Sequence, residues 1–434
     1  MVRVCDFFYT VTGEKSVRNK TLITLMLIWS GISCTAQNEP EIPAHLSSIQ
    51  NLVIIQPDSE PTSSVELIRD TVINDNQAAS MWFKDIVSVG WAFGGSDWMA
   101  GLEVDDSGKI YVGNRRAMEI QVFDSEGRFL VNTGGVGNGP GEFRGMAEMR
   151  IQADQLYVFD FQQFRTTFFS LDPLQVDEVK IASVNRTPDI EELTAWFSTG
   201  YKLKDDERFL IKYANEAVNT VVGSPDYNLD ETRIDKYYIV NREGTVVSEK
   251  LFELKSQAMI TADVEGRHLW NMGPVPFLNQ PMVYISDDGH ILSANSEEAL
   301  IKMHAPNGDY LRAFYFPREK KSIRRDELLT LYGAGGVENE NLLQHAELPE
   351  KWPALADIIL DDEKRLWIST IADTENLTHE WWVLEENGVL LDKFTWPADQ
   401  SIDKIKNGYM YTRETDEETG LQQIVRYRVG IEER

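Results

Sequence analysis

Three histidines fall in segments without strand or turn pattern: His268, His345 and His379. Brought together, three neutral imidazoles could hold a divalent ion, and a bound ion could activate water or polarise a carbonyl. They form no H-E-x-x-H helix motif and no close pair, so convergence would have to come from the fold. His290 and His304 fall inside strand-like runs and read as structural. Arg115 and Arg116 are adjacent in a chain with net charge −28, and two guanidinium groups suit a carboxylate or phosphate. Trp270, Trp352, Trp381 and Trp382 stand in or beside the same irregular segments. Exposed, they would suit a glycan or protein; the competing reading is core packing. The run Gly134–Phe143 (GGVGNGPGEF) raises the question of a phosphate cradle. Pro140 stands where a dinucleotide fingerprint needs its third glycine, no helix pattern follows, and the Gly-Lys-Ser/Thr of a P-loop is absent. It reads as a crossover between two pieces of sheet, with Glu142 and Phe143 pinning it.

These residues are carried by a repeat. Asp105-Asp106-Ser107-Gly108 is flanked by apolar strands, and nineteen residues after Gly108 comes Gly127, in a second Asp-x-x-Gly turn between strands. Gly289 and Gly308 repeat that spacing, and a further copy runs from Ile359 to Leu390 with its turn at Gly388. Weaker copies start at Ile151 and Leu203. Short runs rich in Val, Ile, Tyr and Phe, joined by Asp/Asn-Gly turns, are antiparallel strands. Each unit supplies four strands, and a lone four-stranded sheet cannot bury both its faces. Radial stacking does bury them, which predicts an all-β, six-bladed β-propeller. Blades one to five start near residues 102, 148, 200, 282 and 358. The sixth starts near Ile402 and runs out of chain after three strands. Val65–Ile73 is a strand without a partner, and it is expected to close the ring as the outer strand of blade six. Gly139, Pro140 and Gly141 shape the crossover, and Gly108, Gly127, Gly289, Gly308 and Gly388 serve as structural turns. One short helix is expected in a long loop near 324–344.

The pattern Asp-x-x-Gly-x-Ile-Tyr-Val, then Ile-Gln-Val-Phe-Asp-x-x-Gly, then Gly-Pro-Gly-Glu-Phe, resembles NHL-type repeats. The whole chain is similar to six-bladed β-propeller lipoproteins of the Bacteroidota and related Gram-negative bacteria. The likeness is strongest over residues 101–145 and weaker at 282–316 and 358–394. It implies a fold and no single activity, because propellers carry binding modules, lactonases and lyases alike.

The ends of the chain bear on its address. Lys15, Arg18 and Lys20 precede the apolar run Thr21–Trp29, which is too short to span a bilayer. Ile32-Ser33-Cys34 resembles a lipobox with Cys34 as the lipidated residue, although Gly31 stands where the pattern prefers leucine. Cleavage after Ala36 is the alternative. Residues 1–34 are thus expected as a signal peptide, 35–64 as a flexible tether and 65–434 as the propeller. The expected location is the cell envelope, lipid-anchored in the outer membrane or secreted to the periplasm. Beyond Cys34 there is no cysteine, hence no disulfide in the folded part. The acidic balance argues against nucleic acid as a partner.

Connectivity puts the short a–b and c–d turns on one face of the disc, and the b–c and d–a loops, which carry the insertions, on the other. Function on rigid scaffolds resides in such loops. The expected function is therefore an envelope-anchored monomer that binds a protein, peptide or glycan through its long-loop face, without enzymatic activity. The segment 324–336 could close over the channel as a lid or pack on the rim. The alternative is a lactonase-like or amidating-lyase-like enzyme with a channel metal on His268, His345 and His379. The inner strands (LEVD, RIQ, KLK, VYIS, IILD and IDKI) offer no consistent His/Asp/Glu set, so no cofactor is expected apart from a candidate loop-bound Ca2+ among the carboxylates.

Overall fold

The computed structural model describes residues 43–73, 99–152, 154–184, 188, 190–215, 233–270, 275–333, 337–373, 378–418 and 422–434. Its six four-stranded antiparallel sheets follow the repeat. The innermost strands are Met99–Val104, Met146–Gln152, Phe197–Leu203, Pro281–Ile285, Asp357–Leu360 and Ser401–Lys406. The chain is a six-bladed β-propeller. Apolar clusters fill the seams between successive blades. Tyr111, Ile120, Phe143, Met149 and Phe169 join blades one and two, and Trp382, Phe316, Ile301 and Ile368 join blades four and five.

The Asp-x-x-Gly turns show why their residue types recur. Asp105 Oδ1 accepts from the backbone N–H groups of Ser107 and Lys109, each at 2.9 Å, while Tyr111 donates to its Oδ2 at 3.0 Å. Asp361 repeats the arrangement with Glu363, Arg365 and the Trp367 indole. The carboxylate caps the turn and its fourth residue takes the left-handed backbone, glycine at Gly108 (φ +84°) and Lys364 in the Asp361 turn (φ +63°).

Ser63–Ile73 pairs antiparallel with Gln422–Glu433 and completes blade six. Arg426 fixes this closure by donating through Nε to Asp70 at 2.7 Å and through a terminal nitrogen to the Ser125 carbonyl of blade one at 2.5 Å. Closure removes an open sheet edge. The preceding segment departs from the expected tether. Leu52–Ile54 adds a fifth, parallel strand to the outer edge of blade four, and Leu46 and Ile55 are buried. Apolar side chains among the prolines decide the difference: burying Leu46, Leu52 and Ile55 outweighs leaving the segment in water. The expected signal peptide, with Cys34, lies outside the described residues.

The Gly134–Phe143 run is a crossover. Phe143 is fully buried between blades one and two, and Glu142 Oε2 accepts from the Gly139 N–H at 2.7 Å. Arg165 donates to the carbonyls of Asn138 and Gly139, each at 2.8 Å. Gly141 has positive φ, whereas Gly139 does not and is instead held by that hydrogen bond to Glu142.

The insertions fold together. Thr261–Val264 and Arg267–Trp270 form a hairpin, and the expected single helix is two, α1 (Arg325–Tyr332) and α2 (Val337–His345), parted after Gly333. Hairpin and helices share an apolar cluster with Phe277, Leu328, Leu343 and Trp352, seated on Ile371 of blade five. The helices thus pack on the rim, and no residue of either lines the central channel. In blades five and six the strands themselves run long on this face: Leu366–Asp373, Thr378–Leu384 and Tyr409–Thr415. Most of the long b–c loop of blade three lies outside the described residues.

Candidate functional site

The metal-ligand expectation is tested by where its three histidines fall. His268 is on the hairpin, with Nδ1 2.9 Å from Asp263. His345 ends α2 and bonds the Asn341 carbonyl. His379 is in blade five, 3.1 Å from the Ser369 hydroxyl, and burial lowers its pKa to about 4. Each is committed to a different element, and the fold does not assemble them. Among the described residues no three His, Cys, Asp or Glu side chains are placed to hold a metal ion.

The tryptophans divide. Trp270 is 37% exposed on the hairpin, whereas Trp352, Trp381 and Trp382 are at most 3% exposed. Trp352 meets Phe277 edge-to-face in the insertion core, Trp382 packs on Phe316 between blades, and Trp381 lies in the cluster that joins blades five and six. These three therefore offer no contact surface. Their position beside insertions in the sequence hid the fact that the strands continue through them. Arg115 and Arg116 lie on the b–c turn of blade one. Arg116 is exposed, while Arg115 reaches the Ala147 carbonyl of blade two at 2.5 Å and lines the channel mouth.

The channel is the larger feature. A cavity of about 910 Å³ is lined by all six inner strands and widens outward between blades three and four, where Leu210, Lys212 and Tyr237 of blade three face Met282 and Val283 of blade four. At the turn face it meets a buried ion cluster. Lys404 Nζ lies 3.0 Å from Glu103 and 2.5 Å from Asp287, and Lys406 lies 3.3 Å from the other Asp287 oxygen. Burial works against the Lys404 ammonium, but Glu103 and Asp287 more than restore its hold on the proton. Arg150 adds hydrogen bonds to the carbonyls of Ile285 and Ser286. Charges paired in this way read as structural, and they form the floor.

The mouth is different. Asp357 opens the inner strand of blade five, and its Oδ1 accepts from the Ile358 N–H at 2.8 Å. Burial raises its pKa to about 7, with the neighbouring Asp403 of blade six adding to the effect. Asp403 is itself held by Arg413 at 2.7 Å. On blade three Lys212 stands 3.4 Å from the buried Asp235, while the exposed Lys202 pairs with Leu210 at the level at which Glu103 pairs with Tyr111, nearer the floor. Asp235 also accepts from the Ser256 hydroxyl at 2.6 Å. A His/Asp/Glu pattern in the inner strands does not reach the lysines and arginines that these strands carry, such as Arg150 and Lys404. The available signal was a charge of either sign inside a strand that should be apolar on both faces.

The DUF5128 family model, described as 6-bladed beta-propeller, matches residues 101–252, which span the first three blades. No curated protein sequence matches the chain. Among solved structures, a Bacteroides fragilis protein described as exported is 10% identical, with 87% of this chain and 99% of that chain covered and a TM-score of 0.42. A DUF4221 family member from Bacteroides vulgatus is 10% identical over 86% of this chain and all of its own, with a TM-score of 0.45. Virginiamycin B lyase of Staphylococcus aureus is 8% identical over 84% and 99%, with a TM-score of 0.34. None of these likenesses carries an inference about activity. No helix among the described residues is long and apolar enough to cross a membrane.

Proposed function

We propose that this chain is an envelope binding module that takes a polar ligand, such as a segment of a protein, a peptide or a glycan, into the long-loop mouth of its channel. The observation that carries the reading is the asymmetry of the cavity. One end is sealed by the Lys404–Glu103–Asp287 cluster, with Lys202 at the same level of blade three, and the other carries Asp357, which enters no ion pair among the described residues. Its volume falls within the range of about 300–1,000 Å³ usual for ligand pockets. Export through residues 1–34, with anchoring at Cys34 of an otherwise monomeric protein, accords with the leader and with the absence of further cysteines. The likeness to NHL-type repeats fits a binding scaffold. Arg115 is placed to contribute at the rim, and Trp270 and Arg116 lie on the same face, further out.

The test is a screen of peptide and glycan arrays with the protein and with two mouth-filling variants, Ala356→Trp and Met282→Trp. Both positions line the channel. Binding by the parent that is lost in both variants, at unchanged melting temperature, supports the reading. Binding that survives in both removes the channel mouth as the site.

A further inference from the structure

Among the described residues, blade three alone admits the channel past its inner strand. Every blade lines the cavity with its inner strand, but Leu210, Lys212 and Tyr237 belong to the second and third strands of blade three. Strand register gives the reason. Gly200, Lys212, Tyr237 and Phe252 are cross-strand partners, one on each strand of the blade, so they share one face. That face meets blade four, because Tyr237 and Phe252 cluster with Ile285 and Ile291. The inner position of the row is a glycine. A Cβ there would stand 3.3 Å from the Cβ and Cε of Lys212. The missing side chain opens a recess between the sheets of blades three and four. Its apolar walls are Leu210 and Tyr237 on one side and Val283 and Ile285 on the other. The Tyr237 ring is itself fixed, stacked on Phe252 with centroids 4.8 Å apart.

The charges around the recess balance in number. Lys212 faces Asp235, and the exposed Lys202 is offset by Glu148, whose carboxylate accepts from the adjacent Leu203 N–H at 2.5 Å. One polar group is left over. Tyr237 is 5% exposed, and its hydroxyl has no hydrogen-bond partner among the described residues. A charged group entering here would lose its water and upset that balance. A sugar would set several hydroxyls against Leu210 and Val283, where nothing answers them. Packed sheets lie about 10 Å apart, so a gap between them is a slot that suits a flat ring. Resting on the binding reading above, we infer that the recess takes the tyrosine side chain of a peptide or protein segment, with its ring between Leu210 and Val283 and its hydroxyl bonded to that of Tyr237. The main chain of that segment stays in the channel, and the recess selects the residue that anchors it.

The experiment presents the full chain with the N-acetyl amides of tyrosine and phenylalanine and with methyl glucoside, read by ligand-observed NMR and then by calorimetry. The tyrosine amide is expected to bind about 5-fold more tightly than the phenylalanine amide, the worth of one net hydrogen bond, and the glucoside not to bind. Tyr237→Phe keeps the ring and should bring the two amides level. Gly200→Val plugs the entrance and should abolish the binding of both. A tyrosine preference that survives Tyr237→Phe overturns the inference, as does binding that survives in a folded Gly200→Val or a tyrosine amide that fails to bind. Glucoside binding that Gly200→Val abolishes overturns the tyrosine in favour of a glycan. If ligands found on the arrays are lost in Ala356→Trp but bind Gly200→Val normally, the recess is wrong and the binding module stands. If they bind both variants and Met282→Trp as well as the parent, the module reading fails too.

Discussion

The same six inner strands end in two different ways. At the turn face their charges neutralise one another: Lys404 takes Glu103 and Asp287, and Lys406 takes the far side of Asp287. At the long-loop face Asp357 enters no ion pair among the described residues. A buried charge without a partner costs stability, so a fold retains one where something else is gained. The floor can be explained by folding alone. The acid at the mouth is not explained in that way.

The contrast rests first on a closed ring. Removing residues up to Ile73 takes the outer strand from blade six and the Asp70 partner from Arg426. A chain beginning at residue 74 is expected to lose cooperative unfolding altogether, as followed by near-UV circular dichroism and calorimetry. A chain beginning at residue 57 loses only the parallel strand on blade four and the buried Leu46 and Ile55. It should keep a cooperative transition, with a loss of about 3 kcal/mol from those two side chains. Equal behaviour of the two truncations would deny the closing strand its role.

The floor is the next place to press. Lys404→Met strands Glu103 and leaves Asp287 with Lys406 alone. The expected cost is about 3–5 kcal/mol in urea unfolding, because one partner of a buried pair remains charged. Adding Glu103→Gln should return a large part of it. A Lys404→Met variant as stable as the parent would show that the cluster is no more structural than the mouth.

The architecture was legible in the sequence, and for physical reasons. Asp105 and Gly108 can be recognised because cap and glycine act within four residues of each other, and the strands either side are read from alternation. The closing strand was legible by subtraction, since Val65–Ile73 had no partner and blade six lacked one. The site was far less so. His268, His345 and His379 stand in suggestive segments, but their distances depend on how two insertions pack, and that packing is set by non-local apolar contacts such as Phe277 with Trp352. Trp381 and Trp382 stand in or beside an irregular segment in the sequence, where a strand extension and a loop share composition, so their burial is not legible from it. Lys202 stood in view within the inner-strand run KLK, whereas Asp357 lies one residue before the run IILD. Their chemistry depends on which neighbours are absent, and no spacing encodes that.

Titration separates groups buried for packing from the acid at the mouth. His304 is 2% exposed, and burial lowers its pKa to about 4, as it does for His379. Both are neutral in the fold, and the unfolded chain takes up protons near the ordinary value. Their neutral burial therefore costs nothing above about pH 6.5, and stability falls as pH drops from there toward 4. His379→Gln should flatten that slope by about 1–2 kcal/mol across the window, measured as urea midpoints at several pH values. A slope unchanged in the variant would place the acid sensitivity elsewhere.

Asp357 has the opposite sign and the smallest effect. Its pKa is raised to about 7 by burial and by Asp403, so its protonated form is the one the fold favours. That preference stabilises the protein fully below about pH 4 and is lost as pH rises through 7. Asp357→Asn keeps the shape and removes the ionisation, and should raise stability by about 1 kcal/mol at pH 8 while changing nothing at pH 4. The figure is modest because the side chain keeps part of its contact with water. Gain above pH 7 would mean that the Asp357 carboxylate is held at a cost to folding. If Asp357→Asn is no more stable at pH 8, the carboxylate is already accommodated by the protein, and the difference between mouth and floor disappears at this residue.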